Sequence, residues 1–230
     1  MITIRRSHER GHADHGWLKS QHTFSFADYY DPAHMGFRSL RVINEDRIAP
    51  GMGFGTHPHR DMEIFSYVLD GALQHKDSMG NGSVLRPSQI QLMSAGTGVT
   101  HSEFNPDRKA PGHFLQIWIQ PSKHGIAPSY TEWHPAGESA AKVLVISPDG
   151  RDRSATIHQD ASVWRIQLQP GESTTHELAD GRGVWVQVMR GALTMGDASL
   201  AAGDAASTET SGTFTLTATE ATEALLFDLR

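Results

Sequence analysis

The chain has 230 residues, no cysteine, and 26 acidic against 20 basic side chains, for a formal charge of -6. The missing thiols exclude disulfides, iron–sulfur clusters and cysteine nucleophiles, so any bound metal must be held by nitrogen and oxygen. No basic block could neutralise a run of phosphates, and no apolar run approaches the roughly 20 residues that span a bilayer, so neither nucleic acid nor membrane is expected as a direct partner. Nothing near the N-terminus resembles a secretory leader, and the expected location is cytoplasmic.

In chain order, short runs of β-branched, aromatic and aliphatic residues predict strands over 40–48, 63–69, 89–93, 113–120, 142–146, 163–168, 184–189, 213–217 and 223–229. Hairpin turns are expected at Asp70-Gly71, Met79-Gly80-Asn81-Gly82, Gly196-Asp197 and Gly203-Asp204. The pattern is all-β with few short helices. Tyr67-Val68-Leu69-Asp70-Gly71-Ala72-Leu73 is echoed by Gln187-Val188-Met189-Arg190-Gly191-Ala192-Leu193 at an offset of 120 residues. Such an echo implies two copies of one β unit. The proline- and glycine-containing stretch 121–137 is the natural connection, which gives domains of 1–125 and 126–230.

Two segments carry the chemistry. Gly51, Gly53 and Gly55 lead into His57-Pro58-His59, and Gly96 and Gly98 lead into His101-Ser102-Glu103. In an extended strand residues i and i+2 share a face, so each pair presents two ligands to one side. Pro58 lacks an amide donor, which is tolerated at a strand start or edge, and the first strand is expected to begin at the histidines. Glu63 competes with Glu103 as the fourth ligand; otherwise it is an acceptor behind the site or an exposed strand residue, as is Asp61. Carried over at the offset of 120, His57 falls on Glu177, His59 on Ala179 and His101 on Ala221, so the second unit is expected to lack the ligand set and to be structural, or a wall or lid for the first site.

The spacing Gly51-x5-His57-x-His59-x3-Glu63-x7-Gly71, followed by Gly98-x2-His101-x3-Asn105, resembles the two motifs of the cupin superfamily. Residues 10–18, 22–26, 53–59 and 93–98 narrow the resemblance to the pirin family, close to bacterial pirin-like quercetinases. It covers nearly the whole chain and implies a bicupin of two antiparallel β-barrel or jelly-roll units, with the metal site in the first. It implies His57, His59, His101 and Glu103 as ligands of one divalent transition metal, Fe(II) foremost, with Cu, Ni, Co, Mn or Zn also suited to such donors. The implied reaction is flavonol cleavage by dioxygen with loss of carbon monoxide, Glu103 accepting the substrate proton. Phe54 and Trp118 are candidate substrate contacts; His22 and His75 read as ordinary polar residues. Two other readings stand beside this one: a metal-responsive protein-binding regulator, as eukaryotic pirins are described, and an enzyme acting on another small phenolic substrate.

Overall fold

The computed structural model describes residues 1–137 and 140–230. The chain divides into one unit of Gly11–Pro135 with Ile157–Gln159, and another of Met1–Arg10, Ala136–Thr156 and Asp160–Arg230. The N-terminal residues belong to the second unit because Thr3–Arg5 pairs with the strand Ala205–Thr208. Among the described residues, no helix is long and apolar enough to cross a membrane.

Among the described residues, each unit is built from a seven-stranded and a four-stranded sheet. In the first unit the large sheet runs Ser129–Trp133, Ile90–Ser94, Glu63–Asp70, Gly112–Ile119, Leu40–Ile48, Leu18–His22, Gly11–Asp14, and the small one Gly53–His59, Val99–Phe104, Leu73–Asp77, Gly82–Leu85. Strand Ser129–Trp133 lies within the stretch that composition assigns to a connection. It pairs with Ile90–Ser94 over five residues and buries Trp133, so strand pairing outweighs the flanking prolines.

The first barrel has a layered interior. One apolar cluster joins Leu18, Ile48, Val68, Leu73, Leu85 and Phe114, and another joins Ile64, Met93, Ala95 and Val99. Between them a polar row crosses the large sheet in register: His22 faces Asn44, Asn44 faces Gln116, Gln116 faces Ser66, and Ser66 faces Gln91. Burying such groups is costly unless each is hydrogen-bonded, so the row requires partners.

The second barrel provides an internal control. Its strands pair in the same order, and the register places Trp164, Leu226, Val186 and Ala206 where the first has Asn44, Gln116, Ser66 and Gln91. Its interior carries the apolar cluster that includes Leu178, Val186, Met195, Leu216 and Leu226, beside a buried His176 and Asp228. The constant offset of 120 fails on the small sheet. His101 pairs with His57 but Glu103 with Phe54, so Gly53–His59 carries one extra residue, a β-bulge. The unbulged counterpart pairs Thr174 with Leu216, His176 with Phe214 and Leu178 with Gly212. The positions matching His57, His59, His101 and Glu103 are therefore His176, Leu178, Phe214 and Leu216, rather than Glu177, Ala179 and Ala221.

His176 is held 2.8 Å from Asp228, whose other oxygen accepts from Arg182. Burial alone would raise the Asp228 carboxyl, but the hydrogen bonds from His176 and Arg182 and their charges outweigh it and hold it below its ordinary value of 3.8. As pH falls the unfolded chain takes up this proton first, so the contribution to stability is complete above about pH 4 and lost below it. Thermal unfolding of Asp228→Asn against wild type between about pH 3 and 7 should show its largest deficit near neutrality, shrinking on acidification. A deficit that grows with acid would contradict the sign.

Candidate metal centre

Strand Val99–Phe104 lies between Gly53–His59 and Leu73–Asp77 in the small sheet. Its inward residues are Val99, His101 and Glu103, all buried. Strand Gly53–His59 ends at the histidines rather than beginning there. Pro58 is tolerated because this strand is the edge of its sheet, where a missing amide breaks no necessary ladder bond. Close approach demands glycine at position 53: a Cβ there would sit 2.2 Å from the Glu103 carbonyl oxygen. Gly98, which precedes the second pair, has φ +137°, a conformation that other residues rarely adopt.

The imidazoles of His57, His59 and His101 converge. Nε2 of His101 lies 3.0 Å from Nε2 of His59 and 3.1 Å from Nε2 of His57. Donors about 2.1 Å from one ion and at right angles to each other lie about 3 Å apart, so each of these two spacings fits adjacent corners of an octahedron. The proton positions agree. Nδ1 of His57 lies 2.8 Å from the Gly55 carbonyl, which can only accept, so its proton is on Nδ1 and its Nε2 is bare. Burial, and then the neighbouring His57, lowers His59 to about 4; burial, with His57, His59 and His75, lowers His101 to about 2. Both rings are neutral near pH 7, with lone pairs available without loss of a proton.

Glu103 is buried, and its carboxylate is the partner the polar row requires. Oε1 accepts from Ser66 at 3.0 Å and Gln91 at 2.8 Å, and Oε2 from Gln116 at 2.9 Å. Burial raises its carboxyl to about 7 against the opposing effect of these bonds. Its carboxylate groups with His101 and His75, not with all three converging imidazoles. Glu63 has a different environment: its Oε2 accepts from Ser94 at 2.7 Å and from the His158 amide at 3.2 Å. It belongs to neither group of potential ligands among the described residues. Asp61 accepts from the Gly125 amide and is not in them either.

A pocket of about 710 Å³ opens onto His57, His59 and Glu103. Phe54 and Trp118 both line it, with Trp17, Phe26 and Tyr29. Simple alternation would turn Phe54 away from His57; the bulge restores it to the same side, with ring centroids 6.4 Å apart. Trp17 packs edge-on against Phe54 at 5.3 Å, and Trp118 does so against His59 at 5.0 Å. A polar wall of Ser20, His22, Asn44, Asp46 and Gln116 completes the lining. His22 reaches Asn44 Oδ1 at 2.8 Å. Ser66, Gln91, Gln116, Asn44 and Asp46 were not singled out by motif spacing. The signal they carry is a polar residue at an inward position of an otherwise apolar strand, as in Ile64-Phe65-Ser66-Tyr67-Val68.

The profile of the pirin family matches residues 3–119. Over 229 residues the sequence is 48% identical to the quercetin 2,3-dioxygenase of Escherichia coli K12, spanning 100% of this chain and 99% of that protein. The chain belongs to the pirin family. Residues 144–229 of this pirin match the quercetinase C-terminal cupin domain, so both barrels are part of the family architecture and the fold is a bicupin. The crystal structure of YhhW from Escherichia coli superposes with a TM-score of 0.97 at 47% identity, covering 100% of this chain and 98% of that one. A crystal structure of the bacterial pirin YhhW in complex with nickel(II), also from Escherichia coli, superposes at 0.95 and 47% identity, covering 100% and 99%.

Proposed function

We propose that this pirin is a metal-dependent dioxygenase that opens a flavonol such as quercetin between C2 and C3, consuming one dioxygen and releasing one carbon monoxide. The observation that carries the reading is the meeting of three imidazole nitrogens, 3.0 and 3.1 Å apart, with an aromatic-walled pocket large enough for a flat tricyclic ligand. The relationship to a protein named quercetin 2,3-dioxygenase supports the substrate class, and the nickel(II) complex of YhhW supports one divalent metal.

His57, His59 and His101, with Glu103 as the fourth donor, would hold the cation. Fe(II) is the leading candidate, and such donors also suit Cu, Ni, Co, Mn and Zn. When bound, the cation acts as a Lewis acid that lowers the pKa of the flavonol 3-hydroxyl. Glu103, binding weakly or detaching from the cation, accepts that proton on its carboxylate. Ser66, Gln91 and Gln116 fix the orientation of the acceptor, so little is lost to reorganisation as the proton moves. Phe54 and Trp118 hold the ring system flat and keep water from the reacting carbons.

The test is metal analysis of purified protein followed by dioxygen uptake and carbon monoxide release with quercetin. Metal-loaded wild type should release one carbon monoxide per dioxygen consumed, and His59→Ala should do neither. Metal-loaded protein that leaves quercetin and dioxygen untouched would sink the flavonol reading. Dioxygen uptake confined to another small phenol would transfer the same site to a different substrate.

A further inference from the structure

The two ring nitrogens of His101 face different neighbours. Nε2 points at His57 and His59, whereas Nδ1 lies 3.4 Å from Nδ1 of His75. His75 is fully buried on Leu73–Asp77, opposite Glu103 in register, and Asp77 is opposite His101. On its far side, Nε2 of His75 lies 3.5 Å from Oδ2 of Asp77. Asp77 is itself pinned by the hairpin turn that follows it. Its Oδ1 accepts the amides of Met79 and Asn81, both at 2.9 Å, and its Oδ2 the Asn81 side chain at 2.8 Å. Tyr130 stacks on the His75 ring at 5.0 Å and 22°, and its hydroxyl donates to Glu132 at 2.6 Å.

The proton positions along this line are constrained. A neutral imidazole carries one proton, so for Nε2 of His101 to offer its lone pair the proton must sit on Nδ1, where a buried N–H requires an acceptor. Nδ1 of His75 is that acceptor if its own proton is on Nε2, facing the Asp77 carboxylate. We propose that His75, backed by Asp77, is a positioning residue for the metal centre: it accepts the Nδ1 proton of His101 and locks His101 in the tautomer whose Nε2 binds a divalent cation. This inference rests on the reading of the three converging imidazoles as a metal centre.

His75, His101 and Glu103 also lie within 4.8 Å of one another and could be taken for a second ion site. A neutral His101 cannot give lone pairs on both sides. Binding through Nε2 makes Nδ1 a donor and assigns His75 to accept. The second barrel agrees: where the ligand positions carry Leu178, Phe214 and Leu216, the position of His75 is Met195, which pairs with Leu216 as His75 pairs with Glu103.

Zinc affinity, measured by competition with a chromophoric chelator, separates the possibilities. His75→Met should weaken Zn(II) binding about 10- to 100-fold, the usual cost of losing a group that orients a ligand. His75→Gln, whose side-chain oxygen can accept from His101, should recover most of it. A role limited to packing predicts the opposite order, since methionine fills a buried site at least as well, and that order would overturn the proposal. Nitrogen-15 NMR of Zn(II)-loaded wild type needs no variant to fold: His101 should carry an exchange-protected proton on Nδ1. A bare Nδ1, or two zinc ions per chain, would overturn it. Wild type without affinity for Zn(II) would instead overturn the metal centre itself, a result distinct from variants that match a metal-binding wild type.

Discussion

Replacing His101 with alanine is expected to empty the site of metal and to lower dioxygen consumption with quercetin by at least a hundredfold. Its Nε2 is the one that faces both other imidazoles, at 3.0 and 3.1 Å, so its removal leaves His57 and His59 at the end of an edge strand with no third nitrogen. Loss of a ligand should exceed the 10- to 100-fold that loss of an outer partner costs in affinity. The residue is 1% exposed, so the substitution also leaves a cavity. Thermal unfolding of the metal-free proteins distinguishes that effect from loss of the site. Elemental analysis is the primary readout, and full metal occupancy in His101→Ala would contradict the assignment.

Glu103→Gln should have the second largest effect. As a proton acceptor the carboxylate is worth about 10²- to 10⁴-fold in rate, and an amide cannot replace it. The substitution also turns an NH₂ group toward side chains that donate to Glu103, the amides of Gln91 and Gln116 among them. Leaving one buried group unsatisfied there costs on the order of 1 to 3 kcal/mol of stability. The three imidazoles remain, so metal binding should weaken without disappearing while turnover collapses. Glu63→Gln, beside Ser94 and His158, should keep both. Stopped-flow oxygen kinetics on the metal-loaded variants decides the matter. The reverse pattern, with Glu63→Gln inactive and Glu103→Gln active, would exchange the two carboxylates.

The β character and the convergence of His57, His59 and His101 are legible in the sequence because both depend on a period of two and on local spacing. What depends on pairing between distant strands is not. The bulge that brings Phe54 to the His57 side is invisible until Glu103 is seen opposite Phe54. It also spoils a constant offset between the halves, and so hides the equivalence of His57 and His176. The polar row is spread over five strands, each contributing one residue that by itself looks like an ordinary exception. Only the register shows that the exceptions share a layer, and only the second barrel, with Trp164, Val186, Ala206 and Leu226 there, shows that the fold does not require it. A polar layer in one barrel whose counterpart in the other is apolar is a departure from local rules that the fold itself does not impose.

His75 teaches the same lesson on a smaller scale. In sequence it is one histidine among 14, with no motif around it. Its place between Asp77 and His101 follows from the pairing of Leu73–Asp77 with Val99–Phe104.

The most direct test of the metal centre is X-ray absorption spectroscopy of protein loaded with a single divalent metal. Three imidazoles at about 2.1 Å, with the outer-ring scattering typical of histidine and the remaining positions filled by oxygen, is the predicted result. A coordination shell with one imidazole or none would contradict the account.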